Sequence, residues 1–209
     1  MKAFTLLETV YVLLILSIIF SAIFWGYSFR KEFFYLKNFL KKLRFALETT
    51  IDMSQRAYLK DNYLFCSYGI YFASSTYYEA LGFYTTSTNC DSVILNDEKF
   101  LNSIKSGLSN KFYITYYQEL TKQYNPQTVL SENFKGQIKI SLSNDCSSSL
   151  NFPVLLVSLY STSEFYVFLS SEGGDWQKIN TQNIYLCLNY RNDEKILRIN
   201  KLGQIILEK

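Results

Sequence analysis

Histidine is absent from all 209 residues. Without imidazole there can be no Ser-His-Asp triad, no His-ligated zinc and no histidine proton shuttle, which removes most familiar hydrolase mechanisms. Proline occurs only twice and glycine eight times, while tyrosine and phenylalanine number 18 and 17. So aromatic and proline-poor a mix suits β-strands and argues against disorder. From Thr5 to Ala57 there is no proline and only Gly26, so nothing in that span interrupts a helix. None of the four cysteines forms a Cys-x-x-Cys pair, which leaves a thioredoxin-like motif or a zinc ribbon without support. There is no internal repeat.

Charge is missing altogether between Val10 and Tyr27. That run is just long enough for a membrane-spanning helix. It ends in Phe24-Trp25-Gly26-Tyr27, with no small-x-small site, so it does not read as a cleaved secretory signal. Just ahead of it stands Glu8. A carboxylate inside a bilayer costs about 2.5–3.5 kcal/mol on insertion scales, which makes it a functional residue in need of a partner. A cut between Ala3 and Phe4 would create that partner. The new amine lies four residues before Glu8, one helical turn away on the same face.

The run Lys2-Ala3-Phe4-Thr5-Leu6-Leu7-Glu8 resembles the processing site of type IV pilins and type II secretion pseudopilins. The resemblance implies that prepilin peptidase removes Met1–Ala3 and that Phe4 becomes the methylated first residue. Thr5 and Glu8 are then the assembly residues. An inner-membrane assembly platform extracts the helix into a bundle, where Glu8 meets the Phe4 amine of a neighbouring subunit and relieves two charges in a low-dielectric core. The implied partners are other pilin or pseudopilin subunits, the peptidase, the platform and membrane lipid. The implied location is the bacterial inner membrane, single-pass, with the head in the periplasm or outside.

Charge counting opposes that topology, because Arg30, Lys31, Lys37, Lys41, Lys42 and Arg44 all follow the span and a basic flank favours the cytoplasm. These residues alternate with Phe33, Phe34, Leu36, Phe39, Leu40, Leu43 and Leu47, as on one solvated helix face. Residues 29–60 carry eight Lys/Arg against three acids, net +5, and residues 61–209 carry twelve against fourteen, net −2. A helix face beside anionic headgroups accounts for the basic segment more simply than nucleic acid does.

The expected organisation is α+β: a leader at 1–3, a transmembrane half-helix at 4–28, an amphipathic half-helix at 29–60 and a β-rich head at 61–209. Phe29, Phe33, Leu36, Leu40, Leu43, Leu47 and Ile51 recur at three- and four-residue steps, a stripe to lie against the head. Beyond Asp61 the period becomes two. It predicts strands at Tyr63–Phe72, Tyr77–Thr85, Lys111–Tyr117, Gly136–Ser143, Val154–Ser161, Glu164–Ser170, Asn183–Tyr190, Glu194–Asn200 and Gly203–Glu208. Turn signals lie at Asn125-Pro126, Asn144-Asp145, Gly173-Gly174-Asp175 and Asn192-Asp193. A short helix is expected at Asp97–Ser106, capped by Asp97. Together these make an antiparallel two-sheet head behind one long helix.

Tyr68-Gly69-Ile70-Tyr71-Phe72 followed by Tyr77-Tyr78, and the ending Ile196–Ile206, resemble the first hairpin and last strands of the pseudopilin H/FimT-like family. That resemblance implies a minor, low-copy subunit near a filament tip, serving as structural adaptor rather than enzyme. Some members of the family bind DNA through a C-terminal Gly-Arg-x-Arg. Here the corresponding residues are Gly203-Gln204-Ile205-Ile206, so nucleic acid is not expected as a partner. The alternatives are a DNA-binding minor pilin of competence and a non-polymerising, single-pass membrane-anchored binding protein.

Cys66, Cys90, Cys146 and Cys187 all fall in the head. An even count in an exported domain reads as two disulfides with three possible pairings, of which Cys66–Cys90 with Cys146–Cys187 is the most local. Four buried free thiols are the alternative. No catalytic constellation, cofactor site or metal site stands out. Glu172-Gly173-Gly174-Asp175-Trp176 reads as a solvated hairpin turn, since two acids without further oxygen ligands make a poor calcium loop. Ser147-Ser148-Ser149 has no nearby base and reads as loop.

Overall fold

One helix, α1 (Leu6–Ser54), opens the chain and every other element follows it. The computed structural model describes residues 6–86, 88–94, 96–160, 164–170, 175–191 and 193–208. The chain divides into two compact units at Leu40/Lys41, so α1 contributes to both. Ala3, Phe4 and Thr5 lie outside the described residues, as do the side chains of Phe29 and Phe33.

The helix ends at Ser54, short of the expected Ala57. Its last turn tightens, with Gln55 N donating to Asp52 O (3.2 Å) and Arg56 N to Met53 O (3.1 Å). Ser54 Oγ donates to Ile51 O (2.6 Å) and lies 2.8 Å from Ser158 Oγ, so the helix end is satisfied by side chain rather than by a glycine cap. Within the second unit the expected stripe is present and broader than the apolar positions alone. Leu43 and Leu47 are buried and Ile51 half-buried, and Ala46, Thr50, Met53 and Ser54 are buried with them. Thr50 is admitted because its hydroxyl donates to Leu47 O (2.7 Å).

The head is all antiparallel in its sheets. Its elements are β1 (Tyr58–Lys60), β2 (Tyr63–Ser74), β3 (Tyr77–Thr85), α2 (Asp91–Ile94), α3 (Asp97–Ser109), β4 (Phe112–Ile114), β5 (Leu120–Thr121) and β6 (Ser131–Asn133). Then follow β7 (Gln137–Ser141), β8 (Val154–Leu159), β9 (Phe165–Ser170), β10 (Trp176–Ile179), β11 (Asn183–Tyr190), β12 (Asp193–Asn200) and β13 (Ile205–Leu207). Among the described residues a nine-stranded sheet runs β10-β9-β8-β2-β3-β4-β5, with β1 on β2 and β6 on β3. A second, four-stranded sheet runs β13-β12-β11-β7.

The sheet departs from expectation in four short strands the periodicity does not reveal: β1, β5, β6 and β10. They have two to four residues each, too few for an alternation to register. A tight turn joins the first to β2. Asp61 and Asn62 both take positive φ (52° and 67°) between Lys60 and its partner Tyr63, the two-residue geometry that favours Asp and Asn. Strand pairing therefore begins before residue 61. The expected strand at Lys111–Tyr117 is cut short because the chain reverses at Gln118 (φ 59°) and returns as β5, pairing Leu120 with Ile114. The helix cap also moves by one: Asn96, not Asp97, accepts from Lys99 N (2.9 Å), and Asp97 and Glu98 fill the first turn, where the helix dipole favours acids.

Strand β8 shows where the core sits. Leu155, Val157 and Leu159 join Leu81, Phe83 and Phe168 against Val93 of α2 and Phe100 and Ile104 of α3. The alternate residues Val154, Leu156 and Ser158 are also buried, and Ser158 meets Ser54 of α1. The large sheet is thus covered on both faces, and β8 reads as a continuous apolar run for that reason. Gly107 lets α3 approach: a Cβ there would lie 2.7 Å from Phe83 Cδ1, on a ring that is 1% exposed.

Candidate functional site

Within the first unit, Leu7–Tyr27 is a 21-residue apolar segment of mean hydropathy 2.3 with no residue buried, long and apolar enough to cross a membrane. Its two serines do not present loose hydroxyls. Ser17 Oγ donates to Leu14 O and Ser21 Oγ to Ser17 O, each at 2.8 Å, so both are satisfied within the helix. Glu8 stands one residue inside this segment, exposed, in the first turn of α1. The residues before Leu6 that would form the processing site with it lie outside the described residues.

All four cysteines pair. Cys66 of β2 joins Cys90, which precedes α2, with Cα atoms 5.3 Å apart; Cys146, after β7, joins Cys187 of β11 across 6.3 Å. One bridge staples each sheet. Cys146 itself takes positive φ (55°), and with Cys187 and Ile196 it forms a small satellite core flanked by Tyr185.

The basic segment is partly neutralised. Lys42 Nζ lies 2.6 Å from Glu132 Oε2 of β6, and Arg44 Nε lies 2.7 Å from Glu48 Oε1 one turn on. Both pairs are about half exposed on the cationic side, which limits each to about 0–1 kcal/mol. The cations near the C-terminus are also occupied. Arg198 Nε lies 2.8 Å from Glu208 Oε1, a charge contact without hydrogen-bond alignment, and Lys201 Nζ lies 3.9 Å from Glu164 Oε2. Gly203 takes φ 77° in the turn to β13, so Gln204-Ile205-Ile206 leads into a strand rather than into a free tail.

Sequence reasoning missed the one acid that is buried among the described residues. Glu79 of β3, 3% exposed, pairs with Lys111 and accepts from Tyr77 Oη (3.1 Å); the Lys111 ammonium sits 5.2 Å from the Tyr71 ring centre. Burial first, and then the Glu79 charge, push the Tyr77 phenol far above its ordinary range. Sequence could have flagged Glu79 as the single acid in an aromatic strand, but its cation lies 32 residues away. Both Glu79 carboxylate oxygens are engaged within the cluster, whose chemistry is that of a structural ion pair.

The loop after β7 holds Asp145, whose carboxylate accepts from Ser143 Oγ (2.6 Å) and Ser147 Oγ (2.7 Å), lowering its pKa to about 2. The serine run is therefore an Asx-stabilised turn, as its loop reading implies. At the other expected turn, Glu172-Gly173-Gly174 lies outside the described residues; Asp175 pairs with Lys105 at 3.1 Å and Trp176 starts β10. No group of three or more His, Cys, Asp or Glu able to hold a metal occurs among the described residues.

Polar hollows are present among the described residues. One, of about 400 Å³, lies between Tyr84–Thr86 and Lys99–Ser106; Tyr84 there is nearly buried and its hydroxyl already donates to Ser106 O. A second, of about 350 Å³, lies between β9 and the Asn180–Gln182 turn. A third, of about 300 Å³, lies between the β4–β5 turn and the following loop. No protein-family model, curated protein or solved structure matches this chain.

Proposed function

We propose that this chain is a minor pilin or pseudopilin, a structural subunit drawn into a type IV pilus or type II secretion pseudopilus after cleavage between Ala3 and Phe4. The observation that carries the reading is Glu8. It is the one acid in an apolar segment with no buried residue, at the start of a helix that continues unbroken to Ser54 and into an antiparallel head. A carboxylate there is unfavourable in lipid and favourable beside a neighbouring subunit's amine.

Two further observations support the orientation. Disulfides persist in oxidising compartments, and both sheets carry one, which favours a head outside the cytoplasm. Two of the cations that would argue for the opposite topology are already paired with Glu132 and Glu48. The carboxylates beside Arg198 and Lys201 speak against a DNA-binding role, since each phosphate contact would have to displace an acid.

Co-expression with a prepilin peptidase is expected to leave a chain three residues shorter that starts at Phe4, read by intact mass. A chain still carrying Met1 would turn the reading to a plain single-pass anchor. Glu8→Val is expected to insert into membranes at least as well and yet to be excluded from filaments. Normal incorporation of that variant would refute the charge-pair mechanism.

A further inference from the structure

We propose that the cleft between the β4–β5 turn and residues 122–129 is a binding site for a neutral oligosaccharide. The cleft, about 300 Å³, is lined by Thr115, Tyr117, Glu119, Thr121, Gln123, Asn125 and Thr128.

Its walls are built. Thr115 N donates to Glu119 O (2.9 Å) and Gln118 N to Thr115 O (3.0 Å), closing one side. Thr128 N and Val129 N both donate to Asn125 O (3.0 and 2.9 Å), and Gln127 N donates to Asn125 Oδ1 (3.0 Å), closing the other. Tyr116 N donating to Thr128 O (2.9 Å) ties the two sides together. Tyr116 stacks on Phe45 of α1 at 6.0 Å. Its neighbour Tyr117 lines the cleft and is 78% exposed, the most exposed large hydrophobic side chain among the described residues of the head.

The backbone is thus satisfied, while the side chains of Tyr117, Glu119 and Gln123 make no hydrogen bond among the described residues. What they can bind follows from their chemistry. The lining holds no Lys or Arg, which disfavours phosphate, carboxylate or nucleic acid. It holds one carboxylate, too little charge for calcium. Hydroxyls and amides both donate and accept, as the hydroxyls of a sugar do, and a carboxylate accepts from two of them. The exposed phenol ring offers a flat apolar face for the C–H face of a pyranose, with its hydroxyl left in water. The volume is at the small end of ligand sites, suited to a few sugar rings rather than to a long chain. The site stands whether or not the chain enters a filament.

The test uses the full chain, purified in a zwitterionic detergent without a sugar headgroup, against an array of defined neutral and acidic oligosaccharides of two to four rings, followed by titration of the best neutral ligand. Binding of at least one neutral oligosaccharide, weakened about tenfold by Tyr117→Ala and clearly by Glu119→Gln, with Lys105→Ala unchanged, is the expected result. The exposure of Tyr117 means its loss leaves the fold intact, which an unchanged melting temperature verifies. An array without neutral ligands, or equal binding by Tyr117→Ala, overturns the proposal.

Discussion

Two ion pairs of similar appearance differ in what they contribute. Lys42–Glu132 sits in solvent, and Lys42→Ala is expected to change stability by less than about 1 kcal/mol. Lys111–Glu79 places a carboxylate that is 4% exposed in its side chain against a cation, and Lys111→Ala would leave that carboxylate buried and uncompensated. A loss of about 3 kcal/mol is expected in denaturant unfolding, with partial recovery in the double variant Lys111→Ala/Glu79→Gln. Equal effects of Lys42→Ala and Lys111→Ala would show that Glu79 is hydrated in solution. Asp145 makes a third case. Its folded pKa lies below the usual carboxylate value, so its contribution is present above about pH 4 and disappears as pH falls through about 2. Asp145→Ala is expected to flatten the acid limb of the stability profile in that window alone.

At the scale of elements, α3 sits where it does because residue 107 has no side chain. Alanine normally favours a helix interior over glycine by about 0.5–1 kcal/mol. Here the added methyl meets a buried Phe83 ring, and overpacking of that kind costs about 1–3 kcal/mol. Gly107→Ala is therefore expected to lower the melting temperature, and a rise would show that the ring can yield. Much of this architecture was legible beforehand. Tyr77–Thr85 and Asn183–Tyr190 fall where the alternation put them, because each has eight or nine residues with a turn at both ends. β5 and β6 were not legible, since two or three residues paired across the sheet leave no periodic trace. The same limit hid the candidate cleft. Its lining is spread over a turn and a loop whose proximity depends on the Tyr116–Thr128 hydrogen bond, not on spacing. The cysteines were legible because each stands out locally.

For the whole molecule, the two cystines close loops of 24 and 41 residues, worth about 3.5 and about 4 kcal/mol in the chain-entropy account. Alkylation of the chain isolated from its native membrane without reduction is expected to label no cysteine. Labelling of all four would place the head in a reducing compartment and invert the topology. Three buried or part-buried tyrosines of the head should titrate later than an ordinary phenol. Burial holds Tyr68 and Tyr78 well above the ordinary phenol value, and burial with the Glu164 hydrogen bond raises Tyr166 to about 12. Protonated Tyr166 therefore stabilises the fold fully below about pH 10, and that contribution is lost as pH rises through about 12. Absorbance at alkaline pH should show a late fraction that ionises only as the head unfolds.

The double covering of β8 has a practical side. Val154-Leu-Leu-Val-Ser-Leu159 is an uncharged six-residue window of high β-propensity, the composition from which intermolecular sheets grow when a strand is left bare. Its Val154, Leu156 and Ser158 face is on the side where Ser54 of α1 docks, and the buried residues from Leu43 to Ser54 share that helix. A soluble fragment trimmed to Tyr58 at the start of the sheet would strip that cover and is expected to aggregate. One that begins at Lys41 keeps it and is expected to stay monodisperse.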